Sequence, residues 1–281
     1  MPSREKQPNS IALVPVNYIA AKGGQTMKIL IVLTSNDKLG GTGERTGVWL
    51  EEFVAPYYVF KSAGAKVVVA SPLGGNPPID PRSDNDSAQT TATARFHTDP
   101  YAQSALVRST KLSTVSADDF DAVFFPGGHG LLWDLVDDTS SIALIERFLS
   151  TDKPVATVCQ GTGALRNAKS TQGHPVVQGH NVTGSSTTEE QAVGLVCVLP
   201  FLIEDMLVAS GGIFSKAGDW QPHVVSDGLL VTGQNPASSQ ATGRALVQRL
   251  FMHTSPEQHA SSGHAGSMDA QRWLGLSSRQ M

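Results

Sequence analysis

The chain has 281 residues, 40% of them apolar and 16% charged, with a formal net charge of −4. That length suits one large α/β domain or two small ones and allows a substantial core. The weak negative balance excludes a basic patch and with it nucleic acid and anionic membrane surfaces as partners. No apolar run approaches the about 20 residues that cross a bilayer. The two cysteines, Cys159 and Cys197, argue for a reducing, cytoplasmic compartment rather than a disulfide framework.

In chain order, residues 1–26 mix charge, proline and a short apolar patch from Ile11 to Val16, and read as a flexible extension without a signal peptide's long apolar core. A single domain is expected over 27–253. Its first strand is the aliphatic run 29–33, of the kind covered on both faces in a parallel sheet. A helix is expected at about 47–63, then a strand at 67–70. The interval 73–117 is long and rich in Pro, Asp, Ser and Thr, and reads as a lid-like insert. Strands at 122–125 and 155–158 alternate with helical patterns at about 132–149 and 162–168. The segment 223–232 reads as a hairpin with Asp227-Gly228 at its turn. Ser238 or Ser239 caps a last helix carrying Ala245, Leu246, Leu250 and Phe251. Residues 254–281 are rich in Ser, Gly, His and Gln and read as a disordered tail in which Trp273 and Leu274 are the residues able to dock. Alternating strands and helices make the expected fold a flavodoxin-like, doubly wound α/β sheet with ligands at the strand carboxyl ends.

The chemistry concentrates where the strand at 155–158 ends in Cys159-Gln160-Gly161-Thr162-Gly163. A thiol at a strand-to-helix turn with glycines to permit the strain is a nucleophile elbow. A helix N-terminus aimed at the sulfur would favour thiolate, so Cys159 is expected to alkylate faster than Cys197. The alternative reading of such a cysteine is a buried structural thiol. Cys197 takes that reading, because Ala192, Val193, Val196 and Leu199 surround it at helical spacing.

Glu52 falls inside an apolar helical stripe formed by Val48, Trp49, Phe53, Pro56 and Phe60, where a carboxyl has a raised pKa and can exchange protons with a thiol. Its alternative is a stripe-edge carboxylate paired with a basic residue. The loop Pro126-Gly127-Gly128-His129-Gly130 places backbone N–H groups past a strand end, and Gln160, after the nucleophile, supplies a second amide for an oxyanion. His129 is either a proton shuttle or a loop-packing residue.

The stretches at 28–34, 46–52, 70–75, 121–130, 154–159, Glu189-Glu190, 200–204 and 227–236 together resemble the ThiJ/PfpI superfamily, with its class I glutamine amidotransferase-like fold, and most closely its stress-protein and glyoxalase III branch. The resemblance implies Cys159 as nucleophile, Glu52 as partner carboxylate, Gly128 as oxyanion donor and a homodimer. It implies conversion of methylglyoxal or a similar small reactive carbonyl to a hydroxy acid, as in D-lactate dehydratase, through a hemithioacetal. Isonitrile hydration by the same cysteine, and a non-enzymatic chaperone or thiol redox sensor, are the other readings. Two departures stand out. In that branch His comes after the nucleophile and here Gln160 does. The acid expected to orient it falls near Thr187, which is no carboxylate. His129, His180 and His223 are the candidates for a substitute base. No metal cluster, dinucleotide fingerprint or phosphate loop is present, so no cofactor is expected.

Overall fold

The computed structural model describes residues 26–254, so the readings of the two chain ends, with Ile11–Val16, Trp273 and Leu274, lie outside the described residues. β1 (Lys28–Val32) buries its last four side chains, as an aliphatic strand without a polar face must. Next comes α1 (Leu50–Ser62), three residues shorter at its start than its apolar pattern predicts. β2 (Lys66–Ser71) lies parallel to β1. The insert after it is ordered: it carries α2 (Thr91–Phe96), α3 (Pro100–Val107) and a short strand, β3 (Thr110–Lys111), which extends the sheet beside β2. Asp80, Asn85, Thr90 and Asp99 each cap a turn or helix there, which is why a segment so rich in small polar residues has regular structure.

β4 (Ala122–Phe125) coincides with its predicted span. The single helix expected at 132–149 is a 3₁₀ turn at His129–Trp133 and then α4 (Thr139–Ser150), which starts where Asp138 accepts the Ser141 N–H at 2.8 Å. Between them Asp134 turns back to accept from the Thr34 hydroxyl and the N–H groups of Ser35 and Asn36. Burial pushes its carboxyl up to about 6 despite those bonds. β5 (Val155–Val158) is buried throughout. Then come β6 (Asn181–Val182), α5 (Thr187–Ala192), α6 (Ile203–Ala209), β7 (Ile213–Phe214), the hairpin β8 (Val224–Asp227) and β9 (Leu230–Gly233), and α7 (Ser239–Thr254).

The seven-stranded sheet has the order β3-β2-β1-β4-β5-β9-β8, parallel except for β8, whose antiparallel pairing with β9 is the predicted Asp227-Gly228 hairpin. Helices cover both faces of this single α/β domain. Phe124 and Phe125, neighbours on β4, point to opposite faces and join separate cores. One contains Phe53, Phe60 and Leu246, the other Leu144, Phe148 and Ile203. The chain winds outward from β1 to β3 and then returns to β4 on the other side. The crevice at this reversal therefore opens at the carboxyl ends of the central strands.

The burial expected of Cys197 is overturned. α5 stops at Ala192, Gly194 turns at a φ of 73°, and the segment beyond is turns rather than helix, so the spacing of its apolar residues defines no buried face and Cys197 is exposed.

Candidate active site

Cys159 has a φ of 55°, a left-handed conformation that costs a non-glycine residue about 1 to 2 kcal/mol. The strain places its thiol at the carboxyl end of β5, facing the loop after β4. A Cβ on Gly161 would collide with the Phe125 carbonyl, and one on Gly128, whose φ is 105°, with the backbone of Gly47 and Trp49. Glycine is required at both positions for the two loops to approach the helix start that carries the carboxylate.

That carboxylate is Glu52, fully buried in the first turn of α1. Its Oε2 accepts the Gly127 N–H at 2.7 Å, and its Oε1 makes no hydrogen bond among the described residues. Burial holds its pKa well above the usual 4.5, against the lowering effects of the Gly127 amide and the Cys159 thiol. The thiol is also pushed up, first by burial and then by the negative charges of Glu52, Glu190 and Glu189, with only the Gln160 backbone amide opposing. The expected helix-dipole thiolate is therefore corrected. Cys159 opens a 3₁₀ turn of seven residues, Cys159–Leu165, and burial of the sulfur, with the acids around it, outweighs that turn. Burial disfavours the anion of each group, because neither is solvated.

Gln160 turns its side chain into the site. Its Oε1 accepts the Cys159 S–H at 2.9 Å and the Gly128 N–H at 3.3 Å. Its Nε2 donates to Glu190 Oε1 at 2.6 Å and to Ser185 Oγ at 3.3 Å. A carbonyl oxygen thus already sits on the amide that the family resemblance assigns to an oxyanion.

Glu190 supplies the acid that sequence reasoning sought near Thr187. Thr187 instead gives its N–H to Glu204 at 2.8 Å, while Glu190, one turn along α5, accepts from His129 Nε2 at 3.0 Å and from Ser185 Oγ at 2.7 Å. Burial raises its pKa, but the hydrogen bonds from His129, Ser185 and Gln160 bring it below the usual 4.5. A signal for this residue was present: Ser186-Thr187-Thr188-Glu189 is a capping box, formed here as written, and it fixes the helix start so that the next residue, Glu190, faces the cleft.

His129 lies beside the nucleophile, but Arg82 Nη2 approaches its Nδ1 at 3.1 Å. A guanidinium only donates, so Nδ1 accepts and Nε2 carries the proton given to Glu190. The ring has no free lone pair for the thiol. His180 pairs with Asp227 at 3.4 Å beside a cavity lined by Leu229 and Leu230 at the start of β9, the opposite end of the sheet, and His223 contacts Ser215 at 3.0 Å. Neither lines the cleft of about 260 Å³ that holds Cys159, whose walls include Trp49, Arg82, Val193 and Trp220. Glu189 shapes the rim: its Oε1 accepts the Trp220 N–H at 2.9 Å and side-chain amides of Gln234 and Asn235. Among the described residues no His, Cys, Asp and Glu are grouped to hold a metal, and no helix is long and apolar enough to cross a membrane.

A model of the DJ-1/PfpI family matches residues 45–249. The chain is 28% identical over 233 residues to the glutathione-independent glyoxalase HSP31 of Saccharomyces cerevisiae, covering 79% of this chain and 98% of that protein. Among solved structures it is similar to the Rapid Encystment Protein 24 KDa of Francisella tularensis, with a TM-score of 0.77, 34% identity and coverage of 80% and 100%. It is also similar to glyoxalase III of Candida albicans, with a TM-score of 0.73, 25% identity and coverage of 79% and 97%. With the family model spanning most of the domain and the elbow, Glu52 and glycine loop all in place, the chain belongs to the DJ-1/PfpI family.

Proposed function

We propose that this protein is a cofactor-independent, glyoxalase III-type enzyme that converts methylglyoxal, or a similar reactive α-oxoaldehyde, and water to a hydroxy acid. Cys159 is the nucleophile and Glu52 the proton carrier. The relatives named as glyoxalases support the role. The observation that carries the chemistry is a thiol in strained backbone facing a buried carboxyl whose Oε1 has no other hydrogen-bond partner. The domain over 27–253 is the catalytic unit, with 73–117 as its lid, working in the cytoplasm as the homodimer that the family resemblance implies.

The sulfur adds to the aldehyde carbon, forming the S–C1 bond while the thiol proton passes to O1, which gives a hemithioacetal. Glu52, ionised by loss of its proton to bulk water, then removes the proton on C1 and returns it to C2, as the O1 proton moves to O2. C1 is oxidised and C2 reduced, leaving a 2-hydroxyacyl thioester. Water attacks C1, the hydroxy acid leaves and the thiol is restored. The high pKa of Glu52 makes its carboxylate a strong base for a carbon acid. Oxyanions on O1 and O2 are met by the Gly128 and Gln160 amides once the Gln160 side chain has withdrawn.

The test is D-lactate formation from methylglyoxal by purified protein, with Cys159→Ala and Glu52→Gln as controls. Turnover lost in both supports the mechanism, and a flat trace from folded wild-type protein refutes it. A second reading, isonitrile hydration, is favoured by the single fact that the residue after Cys159 cannot act as a base. It requires formation of an N-substituted formamide. The peroxide-sensor reading is weakened by the raised pKa of the thiol, since the thiolate is the oxidised species.

A further inference from the structure

The cleft is larger than its simplest substrate needs. Its volume of about 260 Å³ is several times the roughly 30 Å³ that one water occupies in the liquid. Arg82 lines this cleft together with Cys159. From the sulfur, the Gln160 side chain and the His129 ring intervene before the guanidinium is reached, through contacts of 2.9, 3.3 and 3.1 Å. A molecule that touches both Cys159 and Arg82 must therefore reach past the Gln160 side chain and the His129 ring.

Arg82 is held firmly yet incompletely used. Its Nε donates to Asp80 Oδ1 at 3.0 Å, and its Nη2 donates to Asp80 Oδ2 at 2.6 Å and to His129 Nδ1 at 3.1 Å. The N–H groups of Nη1 have no partner among the described residues, on a side chain that is 35% exposed and lines the cleft. Around it the carboxylates of Asp80 and Glu190 outnumber the one guanidinium, and both have pKa values lowered by their partners, so they are ionised at neutral pH. An anionic tail on the substrate would meet net negative charge. A neutral hydroxyl suits both signs, since it accepts from Nη1 and donates to a carboxylate. Trp49 and Trp220 add broad apolar walls, against which the C–H faces of a carbohydrate chain pack while its hydroxyls reach the polar groups.

We infer that the substrate class of this site is a longer α-oxoaldehyde with a neutral, polyhydroxylated tail, its aldehyde carbon at Cys159 and its tail hydroxyls at Arg82. The inference rests on the proposed glyoxalase reaction, whose steps are unchanged: a six-carbon 3-deoxy-2-oxoaldose and water give the corresponding 3-deoxyaldonic acid.

The experiment compares kcat/KM for 3-deoxyglucosone and methylglyoxal in wild type, Arg82→Met and Arg82→Lys, the last keeping a charge toward Asp80 without the fork. Wild type should favour 3-deoxyglucosone about tenfold, the worth of one charge-assisted hydrogen bond, chiefly through KM. Both variants should lose that preference, with 3-deoxyglucosone falling about tenfold further than methylglyoxal. A wild-type ratio of one or below, or a ratio that survives substitution, overturns the inference, because a merely structural Arg82 would depress both substrates alike. Protection of Cys159 against iodoacetamide, read in a Cys197→Ser background, separates this inference from the reaction itself. If neither aldehyde yields acid, the proposed reaction falls. A half-protecting concentration about tenfold lower for 3-deoxyglucosone still upholds the subsite, and equal concentrations overturn it.

Discussion

Glu52 and Glu190 line the same cleft as the thiol and are both buried, Glu52 the more deeply, yet they are driven in opposite directions. Glu52 has one backbone donor and an oxygen without a hydrogen bond, so desolvation dominates and its pKa is pushed up. Glu190 has His129, Ser185 and Gln160 as donors, and they overcome its own desolvation penalty. Deeper burial and fewer donors push the Glu52 carboxyl up, while three side-chain donors pull Glu190 down. The Glu52 side of the cleft is equipped for proton transfer, and the Glu190 side for holding Gln160 and His129 in place.

The comparison breaks most sharply at Glu52. Glu52→Gln should lower methylglyoxal turnover by about 10² to 10⁴, the usual worth of a positioned proton carrier, while Cys159 stays intact by mass. The same variant tests the direction of the pKa. Because the folded-state value is raised, the stability that Glu52 contributes is complete below about 4.5 and is lost as pH rises toward the folded value. Denaturant titrations from pH 4 to 8 should therefore show Glu52→Gln gaining on wild type by up to about 1.4 kcal/mol per pH unit above that point. A difference that does not change with pH would mean that Glu52 is ionised in the fold.

Glu190→Gln should act on the other side with the opposite dependence. At neutral pH it faces donors with a donor, which costs about 1 to 3 kcal/mol of stability. Because the wild-type pKa is lowered, that deficit is present above about 4.5 and shrinks as pH falls through the folded value. Activity should fall less than in Glu52→Gln if Glu190 only positions Gln160.

Gln160→His sharpens the distinction further. With Glu190 already placed to receive a ring N–H, the single substitution should raise oxoaldehyde turnover about tenfold, within the range of general base catalysis, and Thr187→Asp should add nothing, since Thr187 faces Glu204 rather than position 160. A requirement for both changes would refute the placement of Glu190. The smallest effect concerns the thiols: exposed Cys197 should alkylate faster than Cys159, which is 4% exposed and has a raised pKa. The reverse order would restore an activated thiolate.

Where a residue's role is set by its neighbours in the chain, the sequence was legible. The strands at 122–125 and 155–158 coincide with their apolar runs because a strand buried on both faces cannot be written otherwise. Asp227-Gly228 announced its hairpin, and Glu52 was visible as a carboxylate within an apolar stripe. Cys197 departs from its expected burial because the apolar spacing around it does not continue as a helix: α5 stops at Ala192 and Gly194 turns the chain. The rise of the thiol's pKa is not legible locally, because its burial and the acids near it come from elements distant in sequence, α1 and α5 among them. Glu190 was passed over for the same reason: its partners His129 and Gln160 come from other loops.

By itself, then, the amino-acid order determined the doubly wound sheet, the elbow at Cys159 and the glycine loops that approach it, because periodicity, turn chemistry and steric exclusion act over a few residues. Tertiary structure decided which carboxyl has its pKa pushed up, which acid meets His129 and what Arg82 has left to offer. Those outcomes depend on desolvation and on donors converging from separate elements, and neither is encoded in any local pattern.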